Sequence, residues 1–136
     1  MKLEDQVCSL DLAKRLKELG CKQESQFYRV KCEGIENWAY WAWNSFNEPT
    51  QLTITDKISA YTTAELGEIL PAKIRIEMTP TDIWNYELTA YKTLKHFSVA
   101  YVCEERLNGQ LFKADTEANA RAAMLCYLLE QKIITI

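Results

Sequence analysis

Leu12, Leu16 and Leu19 recur at helical spacing behind Ser9, Ala13 widens the same stripe, and Lys14, Arg15, Lys17 and Glu18 fall on the opposite face. The pattern predicts an amphipathic helix. Ser9 can accept from an unsatisfied backbone N–H at its start, Asp11 suits the positive end of the dipole, and Gly20 ends it. From Phe27 the period changes to two: Tyr28, Val30 and Cys32 alternate with Arg29, Lys31 and Glu33. That alternation predicts a half-buried strand over Phe27 to Glu33 with its charged residues turned outward, and Gly34 permits a turn after it. The next run, Trp38 to Trp43, is apolar at both parities. It reads as a strand covered on both faces or as one that presents aromatic surface.

Asn44 to Thr50, with Pro49, reads as a loop, and Leu52 and Ile54 alternate with threonines as a short strand. Thr62 and Glu65 have the spacing of a capping box before Leu66, Ile69 and Leu70, and Pro71 closes this short helix. Lys73 to Met78 alternates, Thr79 to Asp82 reverses the chain, and Trp84, Tyr86 and Leu88 face away from Asn85, Glu87 and Thr89 on the return. Another strand starts at Phe97, with Val99, Tyr101 and Cys103 on one face. Asn108-Gly109 then offers a favoured two-residue hairpin turn before Leu111 and Phe112. Asp115 or Thr116 caps the last helix, in which Ala122, Leu125, Cys126 and Leu129 recur at helical spacing. Because Met124, Tyr127 and Leu128 are apolar too, its second half is expected to be buried on most sides. The expectation is a single α+β domain over residues 1–136: an antiparallel sheet of about five strands packed by N-terminal and C-terminal helices, with one short central helix.

Composition agrees with a folded chain of ordinary type, with 48% hydrophobic and 26% charged residues among 136, far from the corner where chains stay disordered. The net charge is -3. The excess acid lies in the middle, where Lys57 stands against Glu48, Asp56, Glu65 and Glu68, so the molecule as a whole is repelled by phosphate backbones and anionic lipid. No apolar run has bilayer length, and Met1 to Gln6 lacks the apolar stretch of a secretion signal, so a cytoplasmic protein without a membrane partner is expected. Five cysteines, Cys8, Cys21, Cys32, Cys103 and Cys126, are odd in number and irregular in spacing. They read as small buried hydrophobes without disulfides.

Candidate chemistry is sparse. One histidine, His96, without Cys-x-x-Cys or His-x-x-x-His spacing, points to no metal site, and no cofactor is expected. No Gly-x-Ser-x-Gly elbow exists, and Cys32 and Cys103 sit on apolar strand faces that favour the inert thiol. Glu77 and Glu87 could approach across a hairpin, yet both have basic neighbours on polar faces and read as solvated surface. Lys14, Arg15, Lys17 and Lys22 form a basic patch that could meet nucleic acid, but no second helix follows to complete a helix-turn-helix. The aromatic group Tyr28, Trp38, Tyr40, Trp41 and Trp43 remains, either as core or as a binding surface for a protein partner or for a second copy.

Three stretches carry a resemblance: Ser9 to Gly20 running on to Phe27-Tyr28, Tyr61 to Pro71, and Ala114 to Leu125. In this order they resemble a group of small bacterial phage and prophage proteins to which no catalytic or binding residues are assigned. The resemblance implies a bacterial cytoplasm and an accessory role in a mobile element's life cycle. The residues themselves point to a non-enzymatic binding or protein-interaction module. A nucleic-acid-associated regulator and a small enzyme whose acidic site only the fold assembles are the alternatives.

Overall fold

The structure, a computed structural model, describes residues 2–42, 54–103 and 106–136. A single helical turn, α1 (Leu3–Gln6), precedes α2 (Leu10–Glu18), which starts as its sequence predicts, with the Leu12 N–H donating to Ser9 Oγ at 3.4 Å. Gly20 takes the left-handed conformation, φ +91°, that lets the chain leave the helix at no steric cost. Between the two helices the chain is pinned to a later segment: the Cys8 N–H donates to the Tyr61 carbonyl at 2.9 Å, and Val7 forms an isolated bridge with Thr62. Three antiparallel strands follow, β1 (Phe27–Cys32), β2 (Ala39–Ala42) and β3 (Ile54–Ser59), in the order β2-β1-β3.

The capping box before α3 (Thr63–Ile69) forms in full, and Pro71, which has no N–H to offer, follows the helix end as expected. The chain then makes a meander, β4 (Lys73–Thr79), β5 (Asp82–Lys92), β6 (Phe97–Cys103) and β7 (Arg106–Ala114), in the order β4-β5-β6-β7. Thr116 caps α4 (Glu117–Glu130), its hydroxyl accepting from the Asn119 N–H at 3.2 Å. This last helix contacts β6 and β7 on one side and α2 and α3 on the other, while α2 contacts β3. The layers therefore run from three-stranded sheet through α2 and α4 to four-stranded sheet. Being the central element explains why α4 is apolar around most of its surface: Ala118, Ala122, Met124, Leu125 and Leu128 are fully buried. They join Leu16, Ile58, Tyr61, Leu66, Val99 and Tyr101 in one core cluster. Two part-buried polar links lock the layers, Asn119 Oδ1 accepting from the Ser9 N–H at 2.7 Å and the Tyr101 hydroxyl donating to the Pro71 carbonyl at 2.7 Å.

The α+β class and the flanking helices match the sequence reading, and three details differ. The described strands number seven in two sheets rather than about five in one. Asn108-Gly109 does not turn the chain: β6 and β7 pair from Cys103↔Arg106, and the register shifts between Ala100 and Val102, opposite that dipeptide. The dipeptide lies inside β7, at the irregularity in the β6–β7 register. Finally, Arg29, expected to point outward with Lys31 and Glu33, is only 6% exposed. β1 is covered on both faces over Tyr28, Arg29 and Val30.

Candidate functional site

Cross-strand register divides the predicted aromatic group between the two faces of the three-stranded sheet. Tyr28 lies opposite Trp41, whereas Arg29 lies opposite Tyr40 on β2 and Ile58 on β3. Neighbours across a sheet share a face, so Tyr28 and Trp41 look one way and Arg29, Tyr40 and Ile58 the other. Ile58 belongs to the core, and Lys14 of α2 reaches over the Trp38 ring, 5.5 Å from its centroid. The face holding Arg29, Tyr40 and Ile58 is therefore the one beside α2, and Trp38, just before β2, meets α2 through Lys14. The structure thus brings Tyr28 and Trp41 together and sets Trp38 and Tyr40 apart from them. Trp43 lies outside the described residues.

On the outer face, Tyr28 is only 3% exposed and is fixed at both ends. Its hydroxyl accepts from the Ser25 N–H at 3.1 Å and reaches the Gln23 carbonyl at 3.4 Å, and its ring stands 5.9 Å from that of Trp41 at 40°. Lys57, diagonal to Tyr28 across the β1–β3 pair, carries its ammonium 4.1 Å from the Tyr28 centroid and 4.8 Å from that of Trp41. A cation over two ring faces is attracted by both quadrupoles and holds the rings in place. Beside them Gln23, Glu24, Ser25, Tyr28 and Lys57 line an open cavity of about 490 Å³. Much of its polar lining is committed to the fold. Gln23 donates to the Cys21 carbonyl and to the Tyr61 hydroxyl, both at 3.0 Å, and accepts from the Ser59 N–H at 2.9 Å. Ser25 Oγ donates to the Ala60 carbonyl and to Glu65.

The inner face holds a second cation-and-ring pair. The Arg29 guanidinium carbon lies 5.0 Å from the Tyr40 centroid, and Nη2 donates to the Tyr40 hydroxyl at 3.2 Å. Nη1 is buried without a hydrogen-bond partner. Tyr40 is 38% exposed and covers the guanidinium from the solvent side, while Trp38 is half-buried and packs against the core. Cys8 sits close to Arg29. Burial pushes its thiol up to about 11, and the nearby guanidinium, which favours the thiolate, only partly offsets this. Burial likewise raises Cys21 to about 11 and Cys126 to about 12, so these thiols are protonated and unreactive near neutral pH.

The remaining candidates are dispersed. Glu77 pairs with Arg75 and Glu87 with Lys73, each at 3.4 Å and well exposed. His96 lies in the turn between β5 and β6, its N–H donating to Thr93 Oγ1 and its carbonyl accepting from Thr93. Among the described residues no group of three or more His, Cys, Asp or Glu is placed to hold a metal ion, and no helix is long and apolar enough to cross a membrane. The sequence reading missed Arg29 as a site residue because a strand arginine flanked by Lys31 and Glu33 looks solvated until its cross-strand neighbours are known. No protein-family model, curated protein or solved structure matches the chain.

Proposed function

We propose that this chain is a non-enzymatic binding module whose three-stranded sheet offers aromatic side chains to a protein partner. The observation that carries this reading is the set of three cation-and-ring units on and beside one small sheet: Lys57 with Tyr28 and Trp41 and Arg29 with Tyr40 within it, and Lys14 of α2 with Trp38 just before β2. Rings held in this way lose little conformational freedom on binding, and Tyr40 stands at the surface with a polar tip, which suits an interface anchor.

The ion pairs of α2 and of the segment after it weigh against a nucleic-acid role. Arg15 bonds Glu130 at 2.7 Å, Lys17 bonds Asp56 at 3.4 Å and Lys22 bonds Glu24 at 3.0 Å, so most of the basic patch is already matched by acid. A phosphate backbone binds through several cations at once. The internal bonding around the cavity weighs against an enzymatic role in the same way. Taken with the resemblance to small phage and prophage proteins, the module would serve a mobile element inside a bacterial cytoplasm.

Panning a randomised peptide library against the protein tests the reading. The enriched peptides are expected to lose binding to Tyr40→Ser, a surface change that leaves the far-ultraviolet circular dichroism unaltered. Peptides that bind Tyr40→Ser and Trp41→Ser as well as they bind the wild type place the interface elsewhere and refute it.

A further inference from the structure

We infer that Arg29 is the anchor of a carboxylate site, covered by Tyr40, and that the partner is an acidic peptide segment lying along β2; this rests on the binding-module reading above. Arginine cannot escape burial by losing its proton, as lysine can, so its charge stays wherever the fold puts it. Here the residue is only 6% exposed, and among the described residues no carboxylate forms an ion pair with it. The acid on the same face of β3, Asp56, is taken: it accepts from Lys17 Nζ at 3.4 Å and from the Lys57 N–H at 2.8 Å. What Arg29 holds instead is a phenol oxygen, a ring face and a weak hydrogen bond to the neutral Cys8 thiol, and its Nη1 has no oxygen partner. A desolvated cation in that state is far from its best partner, and the planar fork of guanidinium donors fits a carboxylate with two parallel bonds.

Tyr40 controls access. It sits on the four-residue strand β2 with its side chain partly in solvent, so a rotation about its first torsion admits a carboxylate to the guanidinium without moving the sheet, and the ring then packs against the bound segment, which keeps binding dependent on Tyr40. Two residues back on the same face, Lys14 lies over Trp38. The Trp38 and Tyr40 rings, each carrying one of the two cations, belong to alternate residues, about 7 Å apart where a chain is extended. The chemistry therefore favours a peptide in extended conformation with Asp or Glu at alternate positions. A phosphodiester chain fits less well, since one buried arginine and one exposed lysine supply too few contacts.

The peptides selected above provide the test, each compared with its Glu→Gln and Asp→Asn counterpart by fluorescence anisotropy. Enrichment of alternate carboxylates, a loss of at least about tenfold in the amide counterparts, and collapse of that difference in Arg29→Met are the expected results. Lys14→Gln, on an exposed helix face, is expected to reduce acidic-peptide binding without changing the fold, and it keeps the test decisive should Arg29→Met not fold. Tyr40-dependent peptides without carboxylates, amide counterparts of equal affinity, or an acidic preference untouched by both variants would overturn the carboxylate site and leave the binding module standing. Absence of any Tyr40-dependent peptide overturns both. Tighter, Arg29-dependent binding of a thymidine oligonucleotide overturns the peptide assignment in favour of nucleic acid.

Discussion

Glu65 joins the two halves of the molecule, and its removal gives a stability change that can be worked from the geometry. Its Oε2 accepts from the Thr62 N–H at 2.8 Å and from Ser25 Oγ at 2.9 Å, and its Oε1 from the Gln26 N–H at 2.8 Å. One carboxylate thus closes the capping box of α3 and holds the segment that leads into β1. Hydrogen bonds to a charged group contribute about 1.5–3 kcal/mol each, but the three do not simply add. In Glu65→Ala the Ser25 hydroxyl keeps the Ala60 carbonyl and the Gln26 N–H lies in an exposed setting where water can replace the lost acceptor. The Thr62 N–H is the part-buried donor left without a partner, and the cap itself contributes about 1 kcal/mol. The expected loss is about 2–3 kcal/mol in all, a large share of a typical domain stability of about 5–15 kcal/mol. Urea unfolding followed by tryptophan fluorescence measures it as a lower midpoint at unchanged slope. Glu65→Gln, which keeps one acceptor oxygen, is expected to lose about half as much, and Glu65 with Ser25 should show a coupling of about 1 kcal/mol in a double-mutant cycle. A loss below about 0.5 kcal/mol for Glu65→Ala, or strict additivity with Ser25→Ala, refutes the reasoning.

Leu125→Ala, in the fully buried stripe of α4, is expected to cost about 2–5 kcal/mol, whereas Leu94→Ser, fully exposed in the β5–β6 turn, should stay within about 0.5 kcal/mol; equal effects in thermal melts would contradict the layer order. Cys8, Cys21 and Cys126 are held neutral by burial, with folded values near 11, 11 and 12 against about 9 in the open chain. Their contribution is whole below pH 9 and lost as pH rises toward 11–12, because the unfolded chain ionises first. Urea midpoints should therefore fall from pH 8.5 to 10.5, and a Cys8→Ala, Cys21→Ala, Cys126→Ala variant should flatten that fall. Arg29→Met removes a desolvated charge that lacks an acid partner and is expected to raise stability by about 1–3 kcal/mol; a loss of more than about 1 kcal/mol in calorimetry would mean that the stack on Tyr40 outweighs the burial cost.

Features decided by a few consecutive residues were the legible ones. The Ser9 cap, the Thr62–Glu65 capping box and the alternation of β4 each satisfy their own backbone or face requirement within one turn or one strand, so their residues announce them. The apolar girth of α4 was equally plain, since a helix between two layers has little solvent-facing surface to mark with charge. Asn108-Gly109 misled because a turn-favouring dipeptide also fits an irregularity within a strand, and only the pairing partner, Ala100 to Val102, distinguishes them. β3 was seen only at its start, since Asp56 and Lys57 break any apolar alternation and are placed by Lys17 and by the two rings on opposite faces.

The site lies on the illegible side of that line for the same reason. Parity along β2 separates Tyr40 from Trp41, so the sequence already contained the split of the aromatic group into two faces. Which face met α2 depended on Lys14 reaching Trp38, a contact between residues 24 positions apart in the chain. Arg29 is the extreme case. Its neighbours in sequence, Tyr28 and Val30, say only that it lies in a strand, while its burial is imposed by Tyr40 from one side and Ile58 from the other. A charge so enclosed, with the acid on its own face engaged by Lys17, has a binding deficit that no local rule encodes. That deficit is a property of register, and register is settled only when the whole sheet closes.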